Sequence, residues 1–411
     1  DASELDKLVQ ESGHQSWYQL FASKNDLTIN PERPVIGGWK LASQPGVTRL
    51  VAERNPFYWK VDPAGNQLPY IDRIHLETLQ SIDMINLKVL AGEVDYQDSL
   101  FFGDIALLLE GADKGNYRVF LYENAGASAG YVLYVNQNSK DGNLGSLLTN
   151  VDFRKALSLS IDRQLISDLL QMGFGEPRQM GVHEWSPYYV GEYVKAYTQH
   201  DPNTANQLLD SLGLTRRNAE GFRLMENGQI LEIILDVNDW ASATEVAELL
   251  KDDFAKIGVK LVVRTLQSNH WFTSTSAGEH QIALYMGGGG DYPLISPLWY
   301  YPVSMYTYWA PKWGMWYETG GTGGEEPPQE IKALLELYEA AMVAPSEDEG
   351  VRLVKEAFKM HAENLWTIGI IGEAPTPIAV QNHLGNVLEE QVISGLNNAG
   401  FLGAEQIFFK N

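Results

Sequence analysis

Apolar residues recur every four positions from Phe153 through Leu157, Ile161, Leu165 and Leu169, with Ala156 beside them. This spacing predicts one apolar helix face, and Thr149-Asn150-Val151-Asp152 in front of it has the form of a capping box. Asp201-Pro202 places a side-chain acceptor before a proline at the first helical position, and Gly213 follows Leu208, Leu209 and Leu212 as a stop. Asn227-Gly228 between FRLME and QILEIILDV predicts a hairpin turn. Leu231, Ile233, Leu235 and Val237 then alternate as a strand, and Val246, Leu249, Leu250, Phe254 and Ile257 follow a helical period. Gly258 ends that helix and VKLVVRTL begins another strand, so the region predicts a βαβ unit. Ile331, Leu334, Leu335, Tyr338 and Met342 mark a further helix, and APSEDEG separates it from the helix RLVKEAFKMHAENL as an antiparallel pair.

The first third reads differently. GGWKLASQPGVTRLVAERNPFYW predicts two short strands and a turn, IDRIHLETL a third strand, and SIDMINLKVLAGEVD a helix ending at Gly92. YRVFLYEN and YVLYVNQN read as strands. The class is α/β passing into α+β, with mixed sheets. A length of 411 residues fits two or three domains at about 100–200 residues each.

Charge and cysteine content narrow the chemistry. The net charge of −23 repels phosphate backbones, and no basic cluster offsets it, so nucleic acid is not an expected partner. The absence of cysteine removes disulfides, thiolate catalysis and Cys-ligated zinc. GASAG at 126–130 matches G-x-S-x-G, but both its flanks read as strands, where a nucleophile elbow needs a strand before and a helix after. The bland reading of Ser128 is a small-residue connection. His183-Glu184 begins an H-E-x-x-H pattern that Pro187 interrupts, and no P-loop or G-x-G-x-x-G occurs. No catalytic residue, cofactor or metal is called for. The many carboxylates leave a glycosidase-type pair open without pointing to one.

Two features remain. GGGGDYP follows the strand QIALYM, and its Asp291 either holds an amine or sugar hydroxyls or caps the next turn. Directly after it, PLWYYPVSMYTYWAPKWGMWYETGG holds four of the chain's eleven tryptophans in a proline-broken segment without a period. Such rings either pack a core or line a ligand site. The candidate ligand-binding residues are Trp271, Gly289, Gly290, Asp291, Tyr292, Trp299, Trp309, Trp313 and Trp316.

Several stretches, in order, resemble the family 5 extracellular solute-binding proteins of bacterial ABC importers. VAERNPFYWKVDPAGNQLPYIDRI is similar to the family's L-x-R-N-P-x-Y-W and P-Y-x-D, and INLKVLAGEVD to its A-G-E-x-D helix. VDFRKALSLSIDRQLI resembles R-x-A-x-x-x-A-I-D-R, DPNTANQLLDSLGL resembles D-P-x-K-A-x-x-L-L-x-x-A-G, and LLKDDFAKIGVKLVV resembles L-x-x-I-G-I-x-V. The tail, with Glu326-Pro327-Pro328 and 362–369, is similar to oligosaccharide-type members.

The resemblance implies a periplasmic-binding-protein-like, type II, two-lobe architecture. Residues 1–138 and 366–411 are then parts of an incomplete first lobe, and 139–365 a complete second lobe able to fold alone. It implies a protein fragment, a non-enzymatic monomer outside the cell membrane (periplasmic or on its extracellular face), an oligosaccharide or oligopeptide as solute, and an ABC permease as partner. In peptide-binding members a W-x-A-D-Y stretch supplies the aspartate for the peptide amine. Asp291-Tyr292 matches its D-Y, but Gly288 and Gly290 stand where the tryptophan and alanine would be. The aromatic supply and the tail favour sugars. The rival expectations are a glycoside hydrolase and a partner-binding module with an exposed aromatic patch.

Overall fold

A computed structural model describes the chain except residues 1, 27–29, 44–48, 99, 101, 125–128, 239–241, 289, 373, 394–402 and 411. The chain divides into two units, the larger built on Glu123–Pro375 and the smaller on Asp1–Tyr122 and Thr376–Gln391.

Five strands form the larger unit's sheet: β1 (Ala129–Val135), β2 (Glu232–Asn238), β3 (Lys260–Leu266), β4 (Ile282–Gly287) and β5 (Thr367–Gly369). Their spatial order is β5-β1-β4-β2-β3. β2 runs parallel to β3 and β4, while β1 is antiparallel to both β4 and β5. The sheet is therefore mixed, and the expected βαβ unit is β2, the helix Ala243–Lys256 and β3. β1 and β5 were expected in the first lobe, with boundaries at 138 and 366. They pair within the larger unit's sheet instead, so the boundaries that enclose this sheet fall at 122–123 and 375–376.

Every residue of β1 is buried, so both faces of the sheet need a cover. Side chains alternate along a strand, and β1 sends Tyr131, Leu133 and Val135 into one core and Val132 and Tyr134 into another. The first core is aliphatic. It takes Leu144 and Leu148 from the helix Gly142–Leu148, Phe153 and Leu157 from Val151–Ser160, Leu209 from Pro202–Ser211, and Val246, Leu250 and Phe254 from Ala243–Lys256. The second core is aromatic. It gathers Trp271, Tyr300, Tyr301, Tyr308, Trp309 and Trp366 with Ile331, Leu334, Val354 and Phe358 of the helices Gln329–Met342 and Glu347–Asn364. Those two helices are the expected pair.

The predicted helix over 153–169 is broken. Val151–Ser160 ends before Ile161, and Arg163–Gln171 starts anew with Asp162 as its N-cap, whose Oδ1 accepts from the Leu165 amide at 3.1 Å. The restart turns the second helix, so Ile166 is buried while Leu165 and Leu169 face solvent. The first N-cap is Asn150, whose Oδ1 accepts from the Asp152 and Phe153 amides. Thr149 instead closes the preceding helix. Asp201 caps Pro202–Ser211 as expected, accepting from the Thr204 amide at 3.0 Å. The Asn227-Gly228 turn also forms, with Gly228 at φ +82° and a bridge between Leu224 and Ile230.

The smaller unit has an antiparallel sheet of Trp39–Leu41, Arg49–Arg54 and Arg73–Glu77. Thr376–Gln381 pairs with Tyr117–Asn124 and Tyr96–Gln97 beside the helices Ile82–Leu90 and Ile105–Gly115. Its core around Val89, Leu100, Leu108, Tyr117 and Ala379 is small, and Trp17, Phe21, Phe57 and Trp59 are exposed.

Two predictions follow from the aromatic core. His280 is 2% exposed, its Nε2 lies 2.8 Å from the Tyr308 carbonyl oxygen, and burial pulls its pKa down to about 4. A depressed folded pKa gives stability that is full above the unfolded value near 6.5 and lost as pH falls toward 4. Between pH 7 and pH 5 the loss is about 2 kcal/mol, and urea unfolding of His280→Gln, which does not titrate, should fall by less over this range. The second prediction concerns Gly314. A Cβ there would lie 1.9 Å from the Ser304 carbonyl oxygen, whereas one at Gly142 meets nothing within 4 Å. Gly314→Ala is expected to lower stability by about 1–3 kcal/mol and Gly142→Ala to raise it by about 0.4–1 kcal/mol. Equal urea midpoints for the two variants would contradict this packing.

Candidate functional site

Because β2, β3 and β4 are parallel, their carboxyl ends, Asn238, Leu266 and Gly287, share one edge of the sheet. β1 starts at the same edge, with Ala129 opposite Gly287. Ligands of α/β sheets bind outside such carboxyl edges. At this edge Asn238 is 1% exposed, and its Oδ1 accepts from Ser268 Oγ at 2.9 Å. Its Nδ2 has no hydrogen-bond partner among the described residues.

The segment after β4 is shaped by close contacts. A Cβ on Gly288 would lie 2.1 Å from Cε2 of Trp299, so only glycine lets the indole lie against the backbone. Gly290 follows at φ +40°, and its carbonyl accepts from Tyr300 Oη at 3.3 Å.

Asp291 then closes onto a loop more than a hundred residues earlier. Its Oδ1 accepts from the His183 amide at 2.9 Å and its Oδ2 from the Trp185 indole N–H at 2.6 Å. His183 Nδ1 lies 3.4 Å from Oδ1. Burial pushes the Asp291 carboxyl up, but the His183 side chain, its amide and its charge, and the Trp185 indole together outweigh it. The net effect holds Asp291 below the usual carboxylate range. The imidazole of His183 and the indole of Trp185 stack, with centroids 4.6 Å apart and planes 1° from parallel.

The other candidate residues separate into groups. Trp271 and Trp309 are fully buried. Trp271 donates Nε1–H to the Asp236 carbonyl at 3.1 Å and packs edge-on to Tyr308, while Trp309 stacks on Trp366 at 5.2 Å. Both rings therefore support the sheet and offer no face to a solute in this structure. Trp299 and Trp313 are half-buried at the margin of the same core, Trp299 against Tyr134 and Tyr308 and Trp313 edge-on to Trp309. Trp316 is half-buried beneath the Lys332 ammonium, which lies 5.8 Å from its ring centroid. Tyr292 is half-buried, and its carbonyl accepts from the Ile295 and Ser296 amides in a turn. Gly289 lies outside the described residues, as does Ser128 of the GASAG match. Of the described rings between 297 and 321, Tyr306 is the exposed one, at 48%. Of the two roles open to the stretch, packing in or at the margin of the core is the one most of its rings take in this structure.

Sequence reasoning missed Trp185, considering its neighbours His183 and Glu184 only as a metal motif. The available signal was the segment HEWSPYY, which combines rings and a proline as the later aromatic stretch does. Among the described residues no three His, Asp or Glu side chains group as a metal site. No described helix is long and apolar enough to cross a membrane.

Comparison with known proteins gives consistent results. The periplasmic alpha-galactoside-binding protein of Rhizobium meliloti strain 1021 is 26% identical over 387 residues, 86% of this chain and 52% of that protein. The solved oligopeptide-binding protein OppA is 31% identical, with a TM-score of 0.72 over 97% of this chain and 66% of its own. The periplasmic binding protein MelB of Agrobacterium fabrum C58, solved with stachyose, has a TM-score of 0.74 at 22% identity and covers 96% of this chain and 60% of its own. The chain spans about half the length of the curated relatives it matches. A family model, bacterial extracellular solute-binding proteins, family 5 Middle, matches residues 11–307. With that match and the mixed-sheet fold of these neighbours, the chain belongs to the family 5 extracellular solute-binding proteins of bacteria.

Proposed function

We propose that this protein captures an oligosaccharide outside the cell membrane and delivers it to an ABC permease, without chemical turnover. Family membership supports the transport role. The engagement of Asp291 carries the choice of solute. A peptide's ammonium group needs a carboxylate that it can reach. The Asp291 side chain is 12% exposed, and its two hydrogen bonds turn both oxygens toward partners within the larger unit, so little of the carboxylate is open to an ammonium group. A neutral sugar makes no such demand, and it stacks on partly exposed rings of the kind found at Tyr292, Trp299, Trp313 and Trp316. The alpha-galactoside-binding relative, matched over 86% of this chain, supports the same choice. An oligopeptide is the second reading, favoured by the 31% identity to an oligopeptide-binding protein.

Calorimetric titration of the 411-residue chain with raffinose and stachyose, and separately with di- and tripeptides, tests the proposal. Binding heat is expected with the galactosides alone. Peptide binding without a sugar response would reverse the assignment, and new reducing ends on incubation with sugar would indicate a hydrolase. The role of Asp291 has its own test. Asp291→Ala removes the acceptor of the His183 amide, so hydrogen exchange across 178–194 should accelerate about tenfold or more, the scale of a lost charged hydrogen bond. Exchange in β1 should not change. An unaltered rate at 178–194 would show that Asp291 does not hold this loop.

A further inference from the structure

We infer that Trp185 is a solute-stacking platform, its free indole face set to receive the apolar face of a pyranose ring. This rests on the sugar-capture reading above and names a residue through which it would act. Among the larger unit's described tryptophans, Trp185 is the one in the exposed range, at 54%. Leaving so large an apolar ring in water has a free-energy cost that folding normally avoids by burial. Yet this ring is held in place. One face lies flat on the imidazole of His183, whose side chain is 14% exposed, so the solvent-facing surface is the opposite face. The indole N–H is committed to Asp291 Oδ2 at 2.6 Å, which fixes rotation in the ring plane. The backbone beneath is fixed as well, with the Ser186 amide bonded to the His183 carbonyl at 3.0 Å and the Tyr189 amide to that of Ser186 at 3.0 Å.

A ring ordered before binding loses little rotamer entropy when a solute stacks on it. The groups around it suit a polyol. Glu184 is exposed and accepts from Tyr189 Oη at 3.1 Å, leaving acceptor capacity for hydroxyl groups one residue from the platform. The placement also fits the edge geometry, because Asp291 follows the carboxyl end of β4 by four residues. Asp291 and His183 are then positioning residues, acting on the solute through the indole.

The experiment uses the 411-residue chain, its Trp185→Ala and Trp185→Phe variants, and raffinose. Calorimetry should show binding about tenfold weaker in Trp185→Ala, the scale of a lost aromatic stack. Trp185→Phe, which keeps a ring, should stay within about threefold. Acrylamide quenching gives a second readout. Raffinose should shield tryptophan from acrylamide in the native chain, and that shielding should be smaller in Trp185→Phe. If Trp185→Ala fails to fold, the quenching of Trp185→Phe decides alone. Undiminished raffinose affinity in Trp185→Ala, or undiminished shielding in Trp185→Phe, overturns the platform and leaves the capture reading standing. A native chain that binds tripeptides and no galactoside overturns both.

Discussion

The larger unit depends on covering both faces of one mixed sheet. β1 lies inside that sheet and is buried at all seven positions, so neither face can be left to water. Helices with a regular apolar stripe cover the first face. The second is covered by the helix pair Gln329–Met342 and Glu347–Asn364 and by rings from several places in the chain: Trp309 stacks on Trp366, which precedes β5, and Trp271 of the helix Ser268–Ser276 meets Tyr308 edge to face. Each fully buried ring contributes about 2–3 kcal/mol by transfer from water, and the paired arrangement adds directional preference. Pro297 and Pro311 each open a short helical piece, Pro297–Trp299 and Pro311–Glu318, and the stretch around Pro302 between them turns the chain so that its rings converge. The glycines answer the same demand, since Gly288 admits Trp299 and Gly314 admits the Ser304 carbonyl.

Buried charge ties the layers together. Arg163 is 1% exposed, and its guanidinium donates to the carbonyls of Ser158, Thr198 and Gly369 and to Ser158 Oγ. Arg154 donates to the Asn364 and Leu148 carbonyls and to Gln137 Oε1. Burial lowers their pKa values to about 9 and about 10. Peptide dipoles thus stand in for a carboxylate partner, and removing either arginine would strand several carbonyls without donors. These are the arginines of the R-x-A and I-D-R motifs. They join the helices of the aliphatic core to β5 and to the end of the helix Glu347–Asn364.

Periodicity made much of this legible. The βαβ unit, the helix pair and the Asp201 cap followed from spacing and capping chemistry, because each is decided within a dozen or so residues. The break at Asp162 was hidden, since the apolar spacing runs through it and the Asp162 amide finds its acceptor on Asp253, 91 residues away. Trp271 and Trp309 looked like ligand-lining rings for a related reason. Without a period, a sequence does not show which side of a loop faces a sheet. The strand-end position of Asp291 was readable, but its partners lie 106 and 108 residues earlier, and only the fold brings them to it.

The state of Asp291 bears on how selectivity is achieved. A chain of net charge −23 attracts cations over long range and is indifferent to a neutral solute. An open carboxylate at the sheet's carboxyl edge would add to that bias and favour ammonium groups. Committing both oxygens to His183 and Trp185 withdraws the charge from direct recognition and spends it on orientation within the protein. On the proposed sugar-capture reading, discrimination comes from short-range features of fixed shape, namely the direction of an indole face and the spacing of nearby acceptors. Such features weaken little as salt rises, because screening acts on exposed charges separated by more than a Debye length. Under the proposed function, this favours recognition by rings held in place over recognition by charge.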